Sequence, residues 1–188
     1  MTLLKYTDME ATQLDHLKFP IGPFLKKEHY APEELSSLIG IVEAAPENYR
    51  TIIKGISSSD LTKTYREGSW NIRQLIHHVA DIQLLHFLRM KKALTEPNYV
   101  EVTLINMDGW AVTADGLTAP IEDSLMMFEG ITKRYVFLLR SLDEKAHEIK
   151  YYHPIRKFTI NQAQAIGMSA WHVRHHLAHI KIALGEKV

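Results

Sequence analysis

Apolar residues recur at helical spacing in four stretches of the chain, separated by polar or Pro/Gly-rich connections. The first begins at Pro32, a residue suited to the first helical position, with Glu33 and Glu34 beside it and Leu35, Leu38, Ile39 and Val42 following. Pro46 interrupts this run, yet Tyr49, Ile52, Ile53 and Ile56 resume the period, so the pattern predicts a helical region over about 32–56, kinked or broken near Ala45. The second opens with Asn71-Ile-Arg-Gln74, which has the form of a capping box. Leu75, Ile76, Val79, Ile82, Leu85 and Leu88 then make an apolar face up to about Leu94, with His78 among them and therefore pointing inward. The third stripe runs from Pro120 or Ile121 through Leu125, Phe128, Ile131, Tyr135, Leu138, Leu139 and Leu142. The fourth is expected to start from a second capping box, Thr159-Ile-Asn-Gln162, and to end near Leu184, where Gly185 stops it.

The connections are uneven. Residues 1–31 show no sustained period, and Phe19-Pro-Ile-Gly-Pro-Phe24 reads as an irregular segment laid across a larger body and anchored by its apolar residues. Residues 57–68 form a polar link, and 95–120, with Pro97, Gly109, Gly116 and Pro120, a loop long enough to cover the mouth of a site, with one short helix around Asp108–Val112. Weak alternation over 143–158 suggests a short hairpin. Four amphipathic helices bury their stripes most simply as an all-α, antiparallel four-helix bundle, one domain over 1–188 with 1–18 a loosely ordered extension.

Charge narrows the function. Lys+Arg and Asp+Glu both number 22, so no global field attracts nucleic acid or an anionic membrane. Cysteine is absent, which excludes disulfides, thiolate metal sites and a Cys nucleophile, and leaves any metal chemistry to histidine and carboxylate. Lys5, Asp8, Glu10 and Asp15 interrupt any leader-like apolar run, and no stretch reaches the length of a membrane span, so the expected location is cytoplasmic.

The candidate chemistry is concentrated in Ser169-Ala-Trp-His-Val-Arg-His-His-Leu-Ala-His-Ile180. Residues four apart on a helix share a face, so His172/His176 and His175/His179 are two possible metal clamps, and spacing alone does not choose between them. His78 on the second helix is a third ligand that a bundle can bring across; taken singly, a buried histidine is more often a hydrogen-bonded core residue. Three imidazoles would hold one divalent ion with a coordination position open for substrate or water. Gln74 and Asp81 are candidates to hold an imidazole's other nitrogen, and Trp70, Trp110 and Trp171 to line a pocket, although tryptophans more often serve as packing. Val173 stands where a metalloprotease helix carries its Glu base, which argues against proteolysis, and no nucleophile elbow or phosphate loop occurs.

Several of these motifs occur together. Phe19-Pro-Ile-Gly-Pro-Phe24, Tyr65-Arg-Glu-Gly-Ser-Trp70, Arg73-Gln-Leu-Ile-His-His-Val-Ala-Asp81, Ala93-Leu-Thr-Glu96, His153-Pro154 and Ala170-Trp-His-Val-Arg-His-His-Leu-Ala-His-Ile180, in this order, resemble the YfiT group of the DinB superfamily from about Phe19 to Leu184. The resemblance implies a DinB four-helix bundle, usually a homodimer, with one divalent metal per chain, zinc first and nickel second. It implies His78, not His77, as first ligand, with His172 and His176 completing the set and His175 and His179 as their neighbours or supports.

The activity so implied is metal-dependent hydrolysis of an electrophilic small molecule. Related members resemble S-transferases that join a low-molecular-weight thiol such as bacillithiol to electrophiles, and a non-enzymatic metal- or ligand-binding protein is the competing class. The sequence names no general base. Two departures from the family pattern stand out: Gly109 follows Asp108 where a polar residue is common, and Ser69 replaces a glycine before Trp70.

Overall fold

Each of the four predicted stripes closes into a helix in the computed structural model, which describes residues 16–188. The elements are α1 (Pro32–Ile52), α2 (Ile72–Thr95), α3 (Met107–Ala111), α4 (Ala114–Thr118), α5 (Ile121–Arg140), α6 (Glu144–His147), β1 (Lys150–His153), β2 (Phe158–Asn161) and α7 (Gln162–Ala183). A 3-10 turn at Asp60–Thr62 lies in the first connection. The expectation for residues 1–18 falls almost wholly outside the described residues.

The four long helices form a four-helix bundle in which α1 packs on α5 and α7, and α2 packs on the same two. Helices α1 and α2, successive in the chain, therefore face each other across the diagonal. One core cluster joins Tyr49, Ile72, Leu75, Val79, Leu125 and Phe128 to Val173 and Ile180, and a second joins Leu35, Val42, Met90, Tyr135 and Leu139 to Ile166. Two buried polar groups are bonded across helices: the Tyr49 hydroxyl donates to the Val173 carbonyl at 2.9 Å, and Gln83 Nε2 to Thr132 Oγ1 at 2.9 Å.

The details correct several expectations. Helix α1 runs unbroken through Pro46 and stops at Ile52, short of Ile56. Proline costs the helix one backbone donor, but Pro46 is itself buried, and packing against α5 and α7 keeps the turn closed. Loop 95–120 contains two short helices rather than one. Leu88, expected on the apolar face, is 43% exposed.

The hairpin exists, but β2 occupies Phe158–Asn161, with Lys150 paired to Asn161 and His153 to Phe158. Thr159 is therefore strand, and the α7 capping box is Asn161/Gln164, two residues later than expected: Asn161 Oδ1 accepts from the Gln164 N–H at 2.9 Å and Gln164 Oε1 from the Asn161 N–H at 3.0 Å. The Asn71/Gln74 box forms as the sequence predicts, at 2.9 and 3.1 Å.

The segment before α1 is tied down mainly through its backbone. Gln164, Trp171 and His179 lie two helical turns apart along one face of α7, and each presents a side-chain N–H to a carbonyl of this strap. Gln164 Nε2 donates to Lys27 O at 2.7 Å, Trp171 Nε1 to Gly22 O at 3.0 Å, and His179 Nε2 lies 3.1 Å from Leu17 O and 3.3 Å from Lys18 O. The strap thus runs opposite to α7. At its far end the Tyr30 hydroxyl would lie 2.6 Å from a Cβ on Gly167, so any side chain there would have to push the tyrosine tip aside.

Candidate metal centre

Helices α2 and α7 pack on each other, and their inward faces bring His78, His172 and His176 together. One nitrogen from each lies within 4.8 Å of the others. His78 Nε2 and His172 Nε2 are 3.2 Å apart. Two nitrogens at about 2.0–2.1 Å from one ion at a tetrahedral angle would be about 3.3 Å apart, so this pair already stands at the spacing that a zinc-class ion needs. Trp70 walls this point on one side, its ring 4.6 Å from that of His78.

Burial keeps the three rings neutral. The His78 pKa is pushed down to about 4 by burial, and His172 and His176 are held well below the ordinary histidine range by burial first and by neighbouring imidazoles second. At neutral pH all three therefore offer lone pairs.

His179 decides which nitrogen His176 offers. Carbonyl oxygens only accept, so neutral His179 keeps its proton on Nε2, facing Leu17 O and Lys18 O. Its Nδ1 is then an acceptor, and it lies 3.3 Å from His176 Nδ1. His176 must donate there, which leaves its Nε2 lone pair free for a metal ion. Tyr65 stacks on His179 at 3.8 Å and holds the ring in plane.

A second histidine group, His175, His176 and His179, also meets the distance test. Its three members come from a single helix, and the Nδ1 atoms of His176 and His179 already serve each other, so it makes the weaker cage. His175 instead stacks on Trp171 at 4.3 Å, and its buried Nδ1 has no hydrogen-bond partner.

The other predicted site residues divide. Gln74 uses its carbonyl in the capping box and its amide on Ala111 O at 2.9 Å, so it anchors α3 to α2 and holds no imidazole. Asp81 makes no hydrogen bond to a histidine among the described residues; half-buried near Asp115, its carboxyl is pushed up to about 6 by burial and by that neighbouring charge. His77 points elsewhere, its Nδ1 2.7 Å from Ser124 Oγ. Trp171 serves the strap, and Trp110 is 41% exposed on α3.

Three residues beside the triad escaped the sequence reading. His86 lies eight residues after His78 on the same face of α2, a signal that was available, and its ring is 5.6 Å from that of His172. Arg89 and Arg156 resemble solvated charges in sequence, yet their charges reach His86.

Three histidines meeting between helices of a bundle are a donor set suited to a divalent ion. A DinB-superfamily profile matches residues 41–180. The Oceanobacillus iheyensis protein named "Putative metal-dependent hydrolase OB0413" is 38% identical over 168 residues, covering 89% of this chain and 95% of its own. YfiT of Bacillus subtilis, given the same functional description, is 31% identical over 165 residues, covering 88% and 92%. The solved YfiT structure, described as a probable metal-dependent hydrolase with an unusual four-helix bundle topology, matches with a TM-score of 0.85 at 29% identity over 91% of this chain and 99% of that one. The chain belongs to the DinB superfamily, as a YfiT-like protein. A mycothiol-dependent maleylpyruvate isomerase matches with a TM-score of 0.62 at 15% identity, over 78% of this chain and 60% of that one, a likeness of fold alone. No helix of the described residues is long and apolar enough to cross a membrane.

Proposed function

We propose that this protein is a metal-dependent hydrolase acting on an electrophilic small molecule, with His78, His172 and His176 holding one divalent ion. Zinc is the first choice and nickel the second, since three imidazoles suit both. The observation that carries the reading is the meeting of three neutral imidazole nitrogens, two of them 3.2 Å apart, on two separate helices. The names of the relatives support it.

When bound, such an ion acidifies water or a thiol and polarises a substrate carbonyl. The chain's own residues prepare the site: His179 fixes the His176 tautomer, Trp70 supplies an apolar wall, and burial keeps competing protons off the ligands. Val173 follows His172, so the peptidase base is missing.

Thiol S-transfer is the second reading. It is favoured by the absence, among the described residues, of a carboxylate hydrogen-bonded to any of the three rings. A thiol, with a pKa near 8.5, needs less help than water to ionise. In that reaction a low-molecular-weight thiol forms a C–S bond to the electrophile, the leaving group departs with its bonding electrons, and the thiol proton passes to solvent.

The test is turnover by zinc- and nickel-loaded protein of activated esters and amides, against a thiol with an alkylating electrophile. Ester or amide cleavage without thiol supports hydrolysis, and thiol-dependent product supports transfer. Bound metal without turnover of either would favour the non-enzymatic class. The homodimer and the cytoplasmic location belong to the same proposal; sedimentation and cell fractionation test them.

A further inference from the structure

The outward face of α5 carries a stripe at alternating spacings of three and four residues: Asp123, Met126, Gly130, Lys133, Phe137 and Arg140. All of them are exposed. Phe137, at 80%, is more exposed than any other large apolar side chain of the described residues, and Met126 is 60% exposed. Grooves of about 540 and 440 Å³ run along the two sides of α5, towards α1 and α2, with Phe137 on the wall of both, so the stripe stands as a ridge that a second body can reach.

Alternating three- and four-residue spacing is that of a seam between two helices. The helix dipole accounts for an acid in the first turn and a base in the last, and so for Asp123 and Arg140. It does not account for two large apolar side chains held in solvent, nor for glycine in mid-helix, where that residue is disfavoured. A Cβ on Gly130 would meet nothing within 4 Å, so no close approach within the chain explains the glycine.

The order of the stripe indicates what covers it. Laid antiparallel on itself, it sets Asp123 beside Arg140, Met126 beside Phe137 and Gly130 beside Lys133. Acid then meets base, apolar meets apolar, and the aliphatic stem of a lysine covers the gap left by glycine. Laid parallel, each residue would meet its own copy, with Asp123 on Asp123 and Lys133 on Lys133. Asp123 has no ion pair among the described residues, and Arg140, held by Glu43 through Nη1 and Nη2 at 2.8 and 2.6 Å, retains its Nε–H.

We infer that α5 is the seam of a two-fold dimer, in which this stripe packs antiparallel on the same stripe of a second copy, with Met126 of each chain beside Phe137 of the other. Such a contact is isologous and closes on itself. Helices α5 and α7 occupy the other diagonal of the bundle, so the seam faces away from α7 and leaves the histidines between α2 and α7 uncovered. The inference rests on the homodimer proposed above and on none of its metal chemistry.

The experiment is sedimentation velocity of the full-length chain from low to high micromolar concentration. Wild type should be dimeric. Met126→Glu and Phe137→Glu, each at an exposed position, should raise the dissociation constant about tenfold or more, as a carboxylate forced into an apolar contact predicts, with the far-UV spectrum and the zinc content unchanged. Register is read separately. The chain has no cysteine, so Met126→Cys and Phe137→Cys each introduce a single thiol. A short bismaleimide should link the two variants when they are mixed and neither alone, because like positions lie about 16 Å apart along the antiparallel pair. A dimer that survives both glutamates, or a mixture that links no better than the single variants, would overturn the seam and leave the homodimer standing. A wild-type chain that stays monomeric throughout would remove the homodimer and the seam together.

Discussion

His176 Nδ1 and His179 Nδ1 lie 3.3 Å apart, and only one of them can carry the shared proton. Since the Leu17 and Lys18 carbonyls claim the His179 proton for Nε2, the shared one belongs to His176. Replacing His179 by alanine frees the His176 ring to rotate and to change tautomer. Metal affinity should fall roughly 10- to 100-fold, the usual cost of losing a group that orients a ligand. Competition with a zinc chelator measures this, and an affinity equal to that of wild type would refute the relay.

His78→Ala and His176→Ala remove candidate ligands outright. Elemental analysis should find about one zinc-class ion per wild-type chain and little in either variant, because two imidazoles alone hold such an ion weakly. His77→Ala is the control: it loses the Ser124 contact and should keep its metal. Full occupancy in His78→Ala would sink the site.

Acid should unfold the metal-free protein earlier than its composition suggests. Burial holds His78 and His179 down to about 4, and His86 and His175 to about 3, from an ordinary 6.5. Between about pH 6.5 and 4 the unfolded chain therefore binds more protons than the folded one, and stability rises with pH in that window. The contribution is fully present above the unfolded value and is lost as pH falls through the folded values. Melting temperature should be flat above neutrality and fall steeply below pH 6.5, as read by circular dichroism in chelator. Equal melting temperatures at pH 8 and pH 5 would contradict it.

Asn161→Ala removes the α7 cap and should cost about 1 kcal/mol of stability. Thr159→Ala, at an exposed position of β2, should cost less than about 0.5 kcal/mol. Urea denaturation of the two variants checks the order, and the reverse order would return the cap to Thr159.

The slip of that cap shows what sequence pattern can and cannot read. Thr159/Gln162 and Asn161/Gln164 have the same spacing and the same chemistry, so the choice rests on strand register, with Asn161 paired to Lys150. The first box had no such rival and was legible, as were the four apolar stripes. Pro46 does not break α1, although local geometry alone allows a break, because the packing that keeps the turn closed comes from other helices. His172/His176 and His175/His179 have identical spacing, and only the family resemblance preferred one pair. The geometry that favours the same pair is tertiary: His78 across the bundle and the strap carbonyls behind His179. Arg89 belongs to the same category, since nothing in its neighbours along the chain distinguishes a buried cation from a solvated one.

The strap that crosses α7 has a consequence for how the protein would respond to its ion. The carbonyls of Leu17 and Lys18 accept the proton that sets the His179 tautomer, which in turn sets the lone pair of His176. Docking of the strap and loading of the metal then share one free energy, and by reciprocity whatever the strap adds to metal affinity the ion adds to strap retention. Stripping the ion would loosen a segment that is linked to the centre through His179, so protease sensitivity near residues 17–27 would report the occupancy of a centre on the far side of that ring.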